Sequence, residues 1–399
     1  MVGCAIAAEV SKRTKDVFLL EQMPRVGMGA SSRNSGVIHS GIYYPPGSLK
    51  AQHCVEGNHL TYEFCAAHNV PHKKTGKFVV ATTAKEEGKV DELSARGRAN
   101  GVADLELISA AELRKHEPHV QGRAALRVPT AGIVESEELT KAYARVAVAQ
   151  GANLVTQATL QAIEPGRASV RIRTTVGELE TRVLVNSAGL FADEVAALFG
   201  NLNYRIYPVR GEYREVVRPK AHLINGLVYP APDSTGLSLG VHFTKTLWGA
   251  VLIGPNARYV AKKNDYQRDL EPLEAFCTRA RRLVPELAPE DLRQAYSGIR
   301  AKLVPPGEKG PGDFVVTRDP SYPSCHSSGR HRLPRPHRRG LSCPSRLCLS
   351  GGVAWVVRTT HRNSPSRIGV NRSSLSSAPA PLCLLQNEPL SSPAGAPAK

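Results

Sequence analysis

The sequence predicts an α/β protein, a framework of strands and helices into which an antiparallel sheet is inserted. Three observations carry this. Val2–Val10 is an apolar helical stretch that leads into the buried-strand pattern Asp16–Glu21 (DVFLLE). A second apolar strand, Val183–Ser187 (VLVNS), ends in Ala188-Gly189. From Tyr204 to Gly254 the pattern changes to short strands broken by turns.

Between these landmarks the elements follow in order. A Gly- and Ser-rich loop covers Gly27 to Gly41, and helical stretches occupy Leu49–Asn69 and Ala84–Asn100 with a short strand, Lys77–Ala81, between them. No internal repeat is present. The 399 residues hold one large or two ordinary domains, and 41% hydrophobic residues provide for a sizeable core. No apolar run approaches the roughly 20 residues that span a bilayer. Met1–Ala8 is short, lacks a basic leader and runs into Glu9, so it does not read as a signal peptide.

Charge is unevenly placed. From Cys325 to Lys399 stand ten arginines and one lysine against Glu388 alone, +10 of the total +17, which leaves +7 for residues 1–324. The body is therefore mildly basic, which suits an anionic substrate or cofactor, and the excess that would otherwise suggest nucleic acid belongs to one segment. Of eight cysteines, four (Cys325, Cys343, Cys348, Cys383) lie in that segment, and no CxxC pair exists. The expectation is free thiols in a reducing cytoplasm, with neither a zinc site nor a redox pair.

In a dinucleotide-binding βαβ unit, a strand leads through GxGxxG into a helix, and a second strand ends in Asp or Glu. The glycines admit the pyrophosphate to the helix N-terminus and the acid takes the ribose hydroxyls. Here Gly3 opens a helix and Glu21 closes a strand, eighteen positions on. An ordinary α/β core would look the same. The loop that follows is more telling. Its small residues, hydroxyls and amide (Ser31, Ser32, Asn34, Ser35) let a backbone approach and bind phosphate.

The segment NSGVIHSGIYYPPGSLKAQHCVEG (Asn34–Gly57) closely resembles the L-2-hydroxyglutarate dehydrogenase/oxidase family of the D-amino-acid-oxidase-like flavoproteins. TGKFVVA (Thr75–Ala81), TAGIV (Thr130–Val134), VNSAGL (Val185–Leu190), PVRGEY (Pro208–Tyr213), YPAPD (Tyr229–Asp233), LGVHFT (Leu239–Thr244) and GPN (Gly254–Asn256) extend the likeness, in order, over Val2 to Ser324. The resemblance implies a Rossmann-like FAD-binding domain of the glutathione-reductase type with an inserted substrate sheet. It divides the chain into FAD-binding parts 1–80, 141–200 and 296–324, a cap part 81–140, a substrate sheet 201–295 and an unpacked tail 325–399.

It also implies FAD held without a covalent bond, with the ribose on Glu21 and the remainder against Gly3, Ser31–Ser35, Ala188 and Gly189. The implied substrate is a 2-hydroxydicarboxylate, oxidised to the 2-oxo acid by hydride transfer to the flavin. Proton abstraction favours a group titrating near neutrality, so His39 and His242, both inside matched segments, are the candidate bases. Carboxylates favour arginine forks: Arg300 in YSGIRAK is the leading anchor, and Arg210, beside Glu212, is either a second anchor or one half of an ion pair. Tyr43 and Tyr229 are expected to line the pocket, and Tyr44 to fill core. No metal ligand set and no nucleic-acid partner are expected. The electron acceptor (oxygen, a quinone or a carrier flavoprotein) is open. The expected location is cytoplasmic, with peripheral attachment at the inner membrane also open.

Two departures stand against the family pattern. Its members carry a first strand and a Gly-Gly-Gly turn before the residue matching Val2. Either the start lies upstream, or that strand is missing. After DFVVTRD (Asp313–Asp319) the family continues with a segment such as VIHLVGIDSPGLTAA, where this chain reads CHSSGRHRLPRPHRR (Cys325–Arg339). Codons for the first, displaced by one inserted base, can spell the second, so a frameshift near Ser324 is expected. Three function classes follow: a working dehydrogenase, an inactive remnant, or a nucleic-acid binder led by the basic tail. Within enzymes, glycerol 3-phosphate and amino acids are the alternative substrates.

Overall fold

The computed structural model describes residues 1–166, 169–232, 239–268, 270–308, 310, 312–317 and the backbone of 353–358. The chain divides into a compact unit, Met1–Arg362, and a second, Asn363–Lys399, which lies outside the described residues.

α1 (Val2–Ser11) is apolar nearly all round and is buried accordingly, with Cys4, Ala5, Ala7 and Ala8 in the core. β1 (Phe18–Leu20) is shorter than its apolar run, because Asp16 sits in a left-handed conformation (φ 57°) and delays the extended backbone. β2 (Val37–Ile38) leaves the Ser-rich loop. α2 (Leu49–Ala67) is capped by Ser48, and the carboxylate of Asp313 accepts from the amides of Leu49 and Lys50, each at 2.9 Å. β3 (His72–Lys73) and β4 (Phe78–Ala81) precede α3 (Ala84–Ala99), whose first turn is acidic and last turn basic. Then come β5 (Glu106–Ser109), α4 (Ala110–His116), β6 (Ala124–Arg127), β7 (Gly132–Val134) and α5 (Ser136–Ala149), which packs on α1.

β8 (Asn153–Val155) pairs with β1 in parallel, and the Glu21 amide extends that ladder to the Val155 carbonyl at 2.9 Å. An antiparallel meander, β9 (Leu160–Pro165), β10 (Val170–Thr174) and β11 (Gly177–Thr181), leads to β12 (Val183–Asn186), a 3-10 turn at Gly189–Phe191 and α6 (Ala192–Ala197).

The remaining strands build the large sheet: β13 (Tyr207–Val216), β14 (Leu227–Pro230), β15 (His242–Lys245), β16 (Val251–Gly254) and β17 (Arg258–Tyr259), followed by α7 (Leu273–Ala280) and β18 (Leu292–Lys302). They form a nine-stranded sheet in the order β17-β13-β16-β15-β14-β4-β6-β5, with β18 also on β13. Every pairing in it is antiparallel except β14 with β4. The expected antiparallel sheet is thus present, and the strands on either side of α3 belong to it.

Its two faces bury different clusters. Val80, Val228 and Phe243 point toward α7, whereas Val79, Leu126 and Tyr229 point toward Ile42 and α3. By the same alternation Lys77, Tyr229 and His242 share the second face.

From Cys325 onward one stretch of backbone is described. β19 (Val315–Thr317) pairs in parallel with β20 (Val353–Arg358), which also pairs antiparallel with β12, Asn186 opposite Trp355. A short apolar run cannot make a core alone, but it needs none where two strands offer open edges. The rest of that tail, and the expected frame change near Ser324, lie outside the described residues.

Candidate functional site

Two layers meet at the candidate site: the loop between β1 and β2, and the second face of the large sheet. The loop is fastened at every step. Asn34 donates its amide to the carbonyls of Ala30 (3.0 Å) and Ser31 (2.8 Å), and its Oδ1 accepts from the Gly36 amide at 2.8 Å. Tyr296 of β18 donates its hydroxyl to the Asn34 carbonyl at 2.7 Å, and Tyr213 of β13 bonds Ser35. Gly298 lies so close beneath the loop that a Cβ there would come within 2.0 Å of the Arg33 carbonyl oxygen. Arg33 itself covers the Tyr266 ring at 4.4 Å.

Behind the loop lies a cluster of buried polar groups. His242 is 5% exposed and stacks on Tyr229 with ring centroids 3.8 Å apart. Its Nδ1 bonds the Gly240 carbonyl at 2.9 Å. A carbonyl only accepts, so Nδ1 carries the proton and the lone pair stands on Nε2, which is buried without a hydrogen-bond partner. Tyr43 OH and Lys77 Nζ are likewise buried and unpartnered. Each such orphan costs about 1–3 kcal/mol, so three together mark a place arranged for a polar ligand.

Charge in the cluster is of one sign. His39 and His242 are each pushed down to about 3, first by burial and then by the cations Lys77 and Arg300. Both imidazoles are therefore neutral at physiological pH, as a proton acceptor must be. Burial lowers the Lys77 ammonium to about 7 and holds the Tyr43 and Tyr229 hydroxyls far above their usual range. Among the described residues no carboxylate shifts His39, His242 or Lys77. An anion entering the cluster would supply the missing negative charge and raise the histidines toward the range where a base works well.

The structure thus brings His39, His242, Arg300, Tyr43 and Tyr229 together, and Tyr44 joins them within reach of Arg300. Arg210 is not brought there. Register pairs Val209 with Arg300, so Arg210 projects from the opposite face of β13 from Tyr213, 2% exposed and bound to Asp265 at 2.7 Å. A separate cleft of about 710 Å³ lies elsewhere, lined by residues that include Asp193, Arg205, Tyr207, Tyr259 and Lys263. Lys263 is already bound there by Asp193 and Glu194, and none of the clustered groups opens into it.

The sequence profile of the FAD-dependent oxidoreductases (DAO) matches residues 1–332. The chain belongs to that family. Its relatives include the L-2-hydroxyglutarate dehydrogenase, mitochondrial, of Caenorhabditis elegans, 34% identical over 79% of this chain and 82% of that protein. The L-2-hydroxyglutarate dehydrogenase of Escherichia coli K12 is 32% identical over 76% of this chain and 80% of its own length. Among solved structures, the L-alpha-glycerophosphate oxidase of Mycoplasma pneumoniae with FAD bound superposes with a TM-score of 0.70 at 25% identity, covering 75% of this chain and 80% of that one. The glycine oxidase of Geobacillus kaustophilus, at 22% identity and a TM-score of 0.67 over 80% and 84% of the two chains, shares the fold.

The cofactor of this FAD-dependent oxidoreductase family can be tested against the residues present. α1 carries no acidic residue in its first turn and no side-chain cap, so its leading amides are uncommitted, and its Gly3 is pressed toward Ser187. Ser31 lies beside the same end, its Oγ 3.2 Å from the Met1 nitrogen. Glu21 follows β1 with one carboxylate oxygen turned to the Met23 amide at 2.9 Å. At Gly189 (φ 57°) a Cβ would meet nothing within 4 Å, which leaves open space beside the backbone. Donors for phosphate, an acceptor for ribose and a glycine-bared surface converge, and they suit the group.

Lys77 is the residue that sequence reasoning misses. A lysine at the first position of an apolar strand reads as a solvated end, and the sheet's alternation turns it inward at 1% exposure. Among the described residues no helix is long and apolar enough to cross a membrane.

Proposed function

We propose that this FAD-dependent oxidoreductase oxidises a 2-hydroxydicarboxylate, L-2-hydroxyglutarate, to 2-oxoglutarate. The observation that carries the reading is the buried cluster itself: two neutral imidazoles within the influence of two cations, neither of which has an ion-pair partner among the described residues. Arg300 binds the carboxylate next to the hydroxyl-bearing carbon with its fork. His242 accepts the hydroxyl proton at Nε2, held in the right tautomer by the Gly240 carbonyl, with His39 the alternative acceptor. The substrate's negative charge raises that imidazole's basicity when it is needed. Tyr43 and Tyr229 close the walls and exclude water. Bound FAD supplies the hydride acceptor, its N5 atom, and Glu21, Ser31–Ser35, Gly3, Ala188 and Gly189 would hold it.

Support comes from the relatives named above and from the positive character of the pocket, which holds no acid among the described residues that influence its histidines. The experiment is anaerobic mixing of the FAD-loaded chain with L-2-hydroxyglutarate, its D enantiomer, glycerol 3-phosphate and glycine, following loss of the oxidised flavin band. Rapid bleaching by L-2-hydroxyglutarate alone is expected. Faster bleaching by glycerol 3-phosphate or glycine would overturn the proposal.

A further inference from the structure

Arg300 and the histidines leave Lys77 unexplained. Its Nζ lies 4.5 Å from the ring centroid of Tyr43 and 4.8 Å from that of Tyr229, and it has no hydrogen-bond partner. Ring faces attract an ammonium but offer it no lone pair. A buried ammonium in that state either sheds its proton more readily or is relieved by an acceptor that arrives from outside.

Its place in the sheet says which acceptor. Arg300 stands on β18, two residues from Gly298, whose backbone touches the carbonyl of Arg33 in the cofactor loop. Lys77 directly precedes β4, and β13, β16, β15 and β14 lie between the two strands in the sheet order. Both cations nevertheless act on His39 and on His242. The two histidines therefore have one cation beside the cofactor loop and another on the substrate-sheet side.

We propose that Lys77 is the specificity-determining residue of this pocket: it binds the carboxylate remote from the reacting carbon, while Arg300 binds the adjacent one. The inference rests on the 2-hydroxydicarboxylate reading above. It makes the pocket a gauge for the spacing between two carboxylates. Burial holds Lys77 near 7, and the titratable groups around it are His39, Tyr43, Tyr229 and His242, with Arg300 reaching the same two histidines. A distal carboxylate stabilises the ammonium, so above neutrality the protein takes up a proton as a dicarboxylate binds.

The test uses the FAD-loaded chain and two 2-oxo acids of equal carbon chain: the product 2-oxoglutarate, and 2-oxovalerate, in which a methyl replaces the distal carboxylate. Calorimetry and flavin spectral titration give both affinities. Lys77→Met should reduce the preference for 2-oxoglutarate roughly 10- to 150-fold, the loss of one charged hydrogen bond, with flavin content and 2-oxovalerate affinity preserved. Arg300→Lys should weaken both ligands alike. In the wild type at pH 8, calorimetry in two buffers should show extra proton uptake with 2-oxoglutarate and not with 2-oxovalerate, a readout that stands even if the variant fails to fold. An unchanged preference in Lys77→Met, or equal proton uptake for both ligands, overturns the role of Lys77. A wild type that does not distinguish the two ligands overturns the substrate class itself, and Lys77 with it.

Discussion

His242 shows how one backbone contact sets a side chain's chemistry. The Gly240 carbonyl accepts a hydrogen bond from Nδ1–H, which leaves Nε2 as the basic atom of the ring. Replacing His242 with asparagine should lower turnover by about 10²- to 10⁴-fold, the usual worth of a positioned base, with flavin content unchanged. Stability should follow pH in two windows. The folded His39 and His242 are held near 3, against an ordinary value of about 6.5. Between those values the unfolded chain binds protons that the folded chain refuses, so stability falls as pH drops from 6.5 toward 3. The slope approaches about 1.4 kcal/mol per pH unit for each histidine. Lys77 works at the other end. It is near 7 when folded and about 10.4 when unfolded, so stability rises with pH across that window. Urea midpoints measured from pH 4 to 10 should show both trends, and Lys77→Met should flatten the alkaline one. An alkaline slope that survives in the variant would assign it to another group.

At the scale of elements, the contact of β18 with the Ser-rich loop is a tight constraint on the site. Gly298→Ala places a methyl group 2.0 Å from the Arg33 oxygen, backbone that cannot step aside cheaply. The variant should lose about 1–3 kcal/mol of stability and should also hold less FAD per chain, measured by absorbance after gel filtration. Full flavin content would show that the loop shape does not govern the cofactor site. Helices α1, α2 and α3 end within a residue or two of where periodicity and composition put them, whereas α4 to α7 were not anticipated. Arg300 could be singled out by its motif, but its separation from Arg210 could not. Both are arginines in matched segments, and they part only because register sets Val209 opposite Arg300, which turns Arg210 to the other face. Lys77 was illegible for a related reason. Its burial depends on the pairing of β4 with β14, distant in sequence, which brings the Tyr229 ring beside it, and on Tyr43 from the stretch after β2.

For the whole molecule, β20 shows that a segment can be recruited by edges alone. Backbone pairing places Val353–Arg358 between β12 and β19. The amides of β20 should therefore exchange with solvent as slowly as those of β12, measured by hydrogen exchange and mass spectrometry. Exchange at the rate of a free peptide would remove β20 from the sheet. A broader consequence follows from the fastenings of the Ser31–Ser35 loop. Tyr296 and Tyr213 tie it to the same β18 and β13 that anchor the large sheet. A ligand that steadies the loop therefore steadies the sheet, and at a hundredfold excess over its dissociation constant it adds about 2.7 kcal/mol to the folded state. The vitamin from which flavin is made would then govern how long each copy escapes cellular proteolysis, so that scarcity removes the protein as well as silencing it.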